Sequence, residues 1–489
     1  MLTVAFVTKK NLSNKGVVVL VDETLEFNAQ LESADQELRS AISNVTQCKR
    51  FSGKFGEVEE LTFIDNDKKL QTLVVVGIGN ESTLNSVCIE NLGGIILSYI
   101  TDIKCDDVGI KLVKGIGDFD LNAVASLIAS GMLSASYKFD KYLTIPKEVF
   151  CLKNLEIWCQ SSNDTENLFA NKRAEIAGVF LTRDCVNEPQ NILHNDHYVK
   201  KIISELKPYG ITVEVLEGKE LKKQSISQDR GIQNEIKLLV MCYNGSNQNE
   251  EGVAFIGKGL TISNNSLIQN AKYDRASSAV VVGLFKTLGI RKAKVNAYGV
   301  IGLANYKENT HKVGDVLLTA SGKTIEINDI NEDGRFVLSE AAWYAQNKFN
   351  IKSIVNLSTT PSIERVFGST YAGCFSNNDS LAKKLIESGN KTNEKLWRMP
   401  LHDDFKEVTE SRIADLANGT TTNKLFAESS VVACFISRFI KTGMEWAHLE
   451  IAGMYSKKTE DAPSSVKGAG YGVKLLNQFV QDYYENTKL

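Results

Sequence analysis

The chain has no Cys-x-x-Cys pair, no run of about 18 apolar residues and no excess of charge of either sign, and each absence removes a class of function. Nine cysteines stand at positions 48, 88, 105, 151, 159, 185, 242, 374 and 434. An odd count without paired spacing reads as reduced thiols, not as a disulfide framework or a thiolate metal site. The opening Met1-Leu-Thr-Val-Ala-Phe-Val7 places its lysines after a very short apolar stretch, the wrong order for a secretory signal. Without a long apolar run no membrane span is expected. Lys+Arg 56 against Asp+Glu 59 leave a formal charge of -3, which gives no global pull toward nucleic acid or an anionic membrane. Lys219, Lys222 and Lys223 form one small basic cluster, best read as a solvated face. A cytoplasmic protein is the expectation. Histidines 194, 197 and 311 are not spaced as metal ligands, and no Gly-x-Ser-x-Gly elbow exists. Internal repeats and low-complexity tracts are absent as well.

What is present is an ordinary globular composition, 43% hydrophobic and 24% charged, over 489 residues. That length exceeds what one core supports, so two domains are expected. Leu73 to Gly79 reads as a buried strand ending in a glycine turn; Gly77 and Gly79 do not complete a phosphate loop, because position 82 is Ser. Helical patterns follow at 87–100 and at 123–137, the second rich in small residues suited to close packing. Residues near 140–172 read as polar and irregular and supply the boundary, with a linking helix near 166–182. Beyond it, 237–242, 253–256 and 295–303 read as strands. Val431, Val432, Phe435, Ile436, Phe439 and Ile440 line one helix face. The alternation implies α/β architecture with a largely parallel sheet in each half. The expected divisions are a first domain at 1–160, a linker with its connecting helix at 161–182 and a second domain at 183–489.

Several stretches, in this order and spacing, resemble the leucyl aminopeptidases (cytosol aminopeptidases, peptidase family M17). They are Ala129 to Asp140, Arg183 to Pro189, Gly257-Lys-Gly-Leu-Thr261, Gly334-Arg-Phe-Val-Leu338, Gly368 to Cys374, Trp397-Arg-Met-Pro-Leu401, His448-Leu-Glu-Ile-Ala-Gly453 and Gly470-Tyr-Gly-Val473. The resemblance covers nearly the whole chain. It implies a macro-like N-terminal α/β domain, a C-terminal α/β aminopeptidase (phosphorylase/hydrolase-like) domain and a homohexamer. It also implies removal of N-terminal residues from peptides with two divalent ions, manganese or zinc, which share a water and polarise the scissile carbonyl. Members hold the ions with one Lys amine and four carboxylates, and a second Lys and an Arg assist.

Aligned on that pattern, this chain keeps Lys258, Asp274 and Asp333 at ligand positions and Arg335 at the catalytic Arg. Ser263 replaces one Asp ligand and Asn331 another, and Asp333 is itself shorter than the usual Glu. The segment between Lys258 and Asp274 is shorter than in the family, and the assisting Lys is lost with it. The run after Asp274 has become Arg275-Ala-Ser-Ser278, and Ser358 to Ile363 replaces the substrate-pocket run. Four positive charges on two ions now face two aligned carboxylates. Loss of one outer partner alone typically costs about 10–100-fold in metal affinity or activity. At most one ion is therefore expected, held weakly at Lys258, Asp274 and Asp333, or none.

Two other readings of 329–340 compete. If 329–333 is extended, Asp329, Asn331 and Asp333 share one side, and Asp329 would reach a displaced ion. Asp329-Ile-Asn331-Glu-Asp333-Gly334 with Glu340 also satisfies the calcium-loop spelling, although 324–328 before it alternates like a strand rather than a helix. His448 and His402 sit in shared runs where structural roles are expected. The expectation is thus an oligomeric scaffold or binding protein with lost or strongly reduced peptidase activity. The alternative is an active aminopeptidase with altered metal use. Self-association and peptides are the expected partners; membrane and nucleic acid are not.

Overall fold

A computed structural model describes residues 2–8, 14–25, 40, 43, 45, 51–64, 70–112, 115–145, 152–218, 220–221, 236–247, 249–259, 271–304, 312–329, 332–420, 427–455 and 470–485. Contacts divide the chain into two compact units, and the division falls between Ile176 and Ala177. Among the described residues no helix is long and apolar enough to cross a membrane.

The first unit contains β1 (Ala5–Val7), β2 (Gly16–Asp22), β3 (Val58–Ile64), β4 (Leu70–Gly79), α1 (Ser86–Asp102), β5 (Asp107–Lys111), α2 (Leu121–Ala135) and β6 (Asn154–Trp158). Its sheet order is β1-β6-β5-β2-β4-β3. All pairings are parallel except β3 with β4. Gly77 and Gly79 close β4 against 53–56, and a Cβ on Gly77 would lie 2.2 Å from Lys54 O, so they serve a close backbone approach. The small residues of α2 do what their size allows: a Cβ on Gly131 would collide with Glu90 O of α1, and one on Gly93 with Ile128 O. Residues 154–158, read above as irregular, form β6 between β1 and β5. Leu155 and Ile157 are its only strongly apolar buried positions, too few to register as a strand until both neighbours are in place.

Helix α3 (Ser162–Asn187) includes residues of both units and starts before the expected linking helix. The second unit then follows with α4 (Asn195–Leu206), β7 (Thr212–Glu217), β8 (Ile236–Asn244), β9 (Gly252–Lys258), α5 (Ala276–Ile290), β10 (Asn296–Ala304), β11 (Val316–Leu318) and β12 (Thr324–Glu326). After these come α6 (Asp333–Lys348), β13 (Ile351–Ser358), α7 (Ser362–Phe367), β14 (Ala372–Ser376), α8 (Asp379–Thr392) and β15 (Leu396–Arg398). The last elements are α9 (Asp403–Glu407), β16 (Leu416–Ala417), α10 (Glu428–Ser437), β17 (Glu445–Glu450) and α11 (Val473–Val480).

Eight strands form one sheet, β15-β14-β17-β13-β9-β10-β8-β7, and β11-β12-β16 form a small second one. The centre of the large sheet is parallel, while β14 runs antiparallel to β17, and β8 antiparallel to β10 and β7. Alternation along β9 divides the interior: Val253 and Phe255 join a core with α4, α5 and α11, whereas Ala254 and Ile256 join one with α6 and α10. Each such fully buried Val, Ile or Phe stabilises the fold by about 1.5–3 kcal/mol.

Candidate active site

Lys258 is the last residue of β9 and Asp274 lies in the single turn that leads into α5. Their meeting depends on Gly257, where a Cβ would stand 2.8 Å from Ser278 Cα and 2.9 Å from Ser277 O. With only hydrogen there, the end of β9 lies against the start of α5. Ser277 Oγ then accepts from Lys258 N–H and donates to Lys258 O, both at 3.0 Å. The ammonium of Lys258 forms an ion pair with Asp274 Oδ1 and lies 3.5 Å from Asp274 O. Thr359 Oγ1 donates to the same carboxylate oxygen at 3.5 Å.

Arg275, next in the chain, is fully buried and donates to Cys185 O at 3.3 Å. Burial lowers its basicity, opposed by Tyr198, Cys185, Glu188 and Asp274 nearby. Arg335 in α6 is also buried and its guanidinium pairs with Glu332 one turn earlier. Lys258 and Asp274 are thus brought together, while Arg335 has a separate partner. Asp333 opens α6, and its side chain is outside the described residues, as are Ser263 and Asn331.

The alternative readings of 329–340 fail on geometry. Helix α6 begins at Asp333, and Glu332 N–H donates to Asp329 O at 3.3 Å, so Asp329 and Asp333 do not share one side of a strand. Glu340, the last oxygen ligand of the calcium spelling, is buried within α6 and accepts from Ala320 N–H at 3.1 and 3.3 Å. A calcium loop needs position 12 free to chelate, and here it is committed to the backbone beside β11–β12.

Two features escaped the sequence. Glu428 at the start of α10 has its carboxyl raised above the usual Glu range by burial and by Glu332 and Glu450, with Arg335 and Arg365 opposing. A buried chain from Trp446 through Asn356 and His448 ends on Glu450, which holds Thr360 beside Thr359. The signal was the polar alternation His448-x-Glu450 in an otherwise apolar buried strand. His402 lies elsewhere: exposed, it caps α9 by accepting from Asp404 N–H at 3.3 Å.

The donor set bears on a metal. Two ions held in the family manner need several carboxylates, and the described residues supply one amine and one carboxylate in contact, already neutralising each other. Among the described residues no group of three or more His, Cys, Asp or Glu could hold an ion. The described residues by themselves do not make up a two-ion centre.

A parallel-centred sheet flanked by helices on both faces, with a lysine at a strand end against the start of the next helix, preceded in the chain by a separate α/β unit, defines a two-domain hydrolase-type α/β architecture. The chain belongs to the cytosol aminopeptidase family. The family's catalytic domain matches residues 180–477 and its N-terminal domain residues 18–146. A probable cytosol aminopeptidase of Rickettsia peacockii (strain Rustic) is 40% identical over 500 residues, covering 99% of this chain and all of that protein. The cytosol aminopeptidase of Rickettsia prowazekii (strain Madrid E) is 39% identical over 501 residues, with the same coverage. A mutant of tomato leucine aminopeptidase superposes with a TM-score of 0.82 at 25% identity, over 98% of this chain and 96% of that one. The bottromycin maturation enzyme BotP in complex with Mn shares the fold, with a TM-score of 0.78 at 20% identity over 96% and 99% of the two chains.

Proposed function

We propose that this family member has lost, or retains only weakly, metal-dependent removal of N-terminal residues from peptides, and acts as an oligomeric scaffold or binding protein in the cytoplasm. The observation that carries this reading is the ion pair between Lys258 and Asp274: the amine and the carboxylate that would each face an ion satisfy one another. Ser263 and Asn331 stand where further carboxylates are needed. At most one manganese or zinc ion, held by Lys258, Asp274 and Asp333 with Arg335 nearby in sequence, is compatible with that set. The functional divisions proposed are 1–160, 161–182 and 183–489, in a homohexamer with peptides as ligands.

A second reading, an active aminopeptidase with altered metal use, draws support from full-length similarity of 40% to proteins named cytosol aminopeptidases. Leucine amide release by the purified chain with added manganese, zinc or cobalt separates the two. Background turnover is expected. Turnover comparable to an ordinary family member, abolished in Lys258→Ala, would overturn the first reading.

A further inference from the structure

A chain of buried polar side chains runs through the interior of the large sheet and ends on Glu450, whose partner Thr360 follows the Thr359 that touches Asp274. Trp446, His448 and Glu450 alternate along β17 and so share one face, with Asn356 of β13 beside His448 in register. All four are fully buried. Trp446 Nε1–H donates to Asn356 Oδ1 at 2.6 Å, and an indole nitrogen can only donate. That fixes the amide, so Asn356 Nδ2 meets His448 Nδ1 at 2.6 Å as a donor and Nδ1 carries the lone pair. The imidazole proton is then on Nε2, which donates to Glu450 Oε1 at 2.8 Å. Thr360 supplies two more donors: its hydroxyl to Oε1 at 2.7 Å and its backbone N–H to Oε2 at 2.8 Å. Every hydrogen bond points the same way and the chain ends on one carboxylate. The neighbouring Thr359 hydroxyl reaches Asp274 Oδ1.

We propose that Glu450, oriented by His448, is a positioning residue: it locks Thr360 to β17 and thereby sets Thr359 and the Asp274 carboxylate against Lys258. The proposal rests on that pair being the centre of the site. Buried polar groups are retained where their partners fill them, and an apolar pair would join β13 to β17 equally well. What an apolar pair would lack is a grip on both the backbone and the side chain of Thr360. That double grip anchors Thr360, and the preceding Thr359 reaches Asp274 Oδ1 from there.

The test uses the full chain and needs no turnover, so its failure is distinct from failure of the peptidase reading. With 15N-histidine labelling and His448→Gln for assignment, His448 should show a protonated Nε2 and an unprotonated Nδ1. Access to the Lys258 amine is followed by reductive methylation with formaldehyde and cyanoborohydride, resolved by peptide mass spectrometry. Glu450→Gln places an amide NH2 against a donor of Thr360 and should speed Lys258 modification about fivefold, the effect of one lost hydrogen bond. Thr359→Val should do the same, and the double variant should be no faster than either, because the two act in series. Lys286, paired with Glu205 at 2.7 Å in the same unit, should not change. Glu450→Asp should restore part of the protection. Equal acceleration at Lys258 and Lys286 would mean general loosening and overturn the proposal. So would additive effects, no effect of either variant, or a proton on Nδ1. If Glu450→Gln does not fold, Thr360→Val, which removes one donor only, must still speed Lys258 selectively, or the proposal fails.

Discussion

Replacing Lys258 by Met keeps the length and apolar stem of the side chain and deletes the ammonium that Asp274 faces. The two side chains are only 8% and 12% exposed, so the carboxylate left behind gains little compensating hydration. An exposed pair is worth about 0–1 kcal/mol, whereas removing one partner of a buried pair costs about 3–5 kcal/mol. Thr359 does not replace the ammonium, because it offers Asp274 one neutral hydroxyl donor at 3.5 Å in place of a full positive charge. A loss of about 3 kcal/mol is expected, the lower end of that range, since Asp274 retains some access to solvent. Urea unfolding of the full chain measures it, with Asp274→Leu and the double variant completing a cycle. The double variant should recover most of the loss, because an apolar pair of similar volume is often neutral or better. A loss below about 1 kcal/mol for Lys258→Met, or simple additivity in the double variant, would refute the argument that the pair is buried and mutually dependent.

Three further outcomes can be checked. Restoring Ser263→Asp and Asn331→Asp together should return manganese binding, by calorimetry, more fully than leucine amide release, because the assisting Lys stays absent; a double variant that still binds no second ion would show the alignment of the site to be wrong. Glu428 has a raised carboxyl in the folded state, so its contribution to stability is present below its ordinary value of 4.5 and is lost as pH rises through the folded value. Glu428→Gln should therefore gain on the wild type as pH rises above about 4.5, and a pH-independent difference in urea midpoints would contradict this. Burial pushes the Cys185 and Cys374 thiols up to about 12, so iodoacetamide should label Cys88 well before either, and their early alkylation in the native protein would count against the packing described.

The strands at 237–242, 253–256 and 295–303 and the helices at 87–100, 123–137 and 431–440 were legible because uniform apolar runs and apolar stripes survive in any context. The strand at 154–158 was not. Three apolar residues in five, of which only Leu155 and Ile157 are buried, specify nothing until β1 and β5 flank them. Positions 329–340 spelled both a metal-ligand run and a calcium loop, and residue order alone could not choose. The helix chose, by turning Glu340 inward to the Ala320 N–H. His448 was legible only as a structural residue in a strand-like run, and the proton's place on its imidazole follows only from Trp446, ninety residues from the Asn356 amide it fixes.

Family membership, two α/β domains and the presence of Ser263 and Asn331 rather than carboxylates belong to the sequence itself, since they depend on which residues occur in which order. The tertiary structure alone decided how the remaining groups are used. Lys258 and Asp274 are sixteen residues apart, and whether they face an ion, solvent or each other depends on how closely β9 approaches α5. Gly257 permits that approach, and the resulting exclusion of water makes an amine and a carboxylate each other's partner.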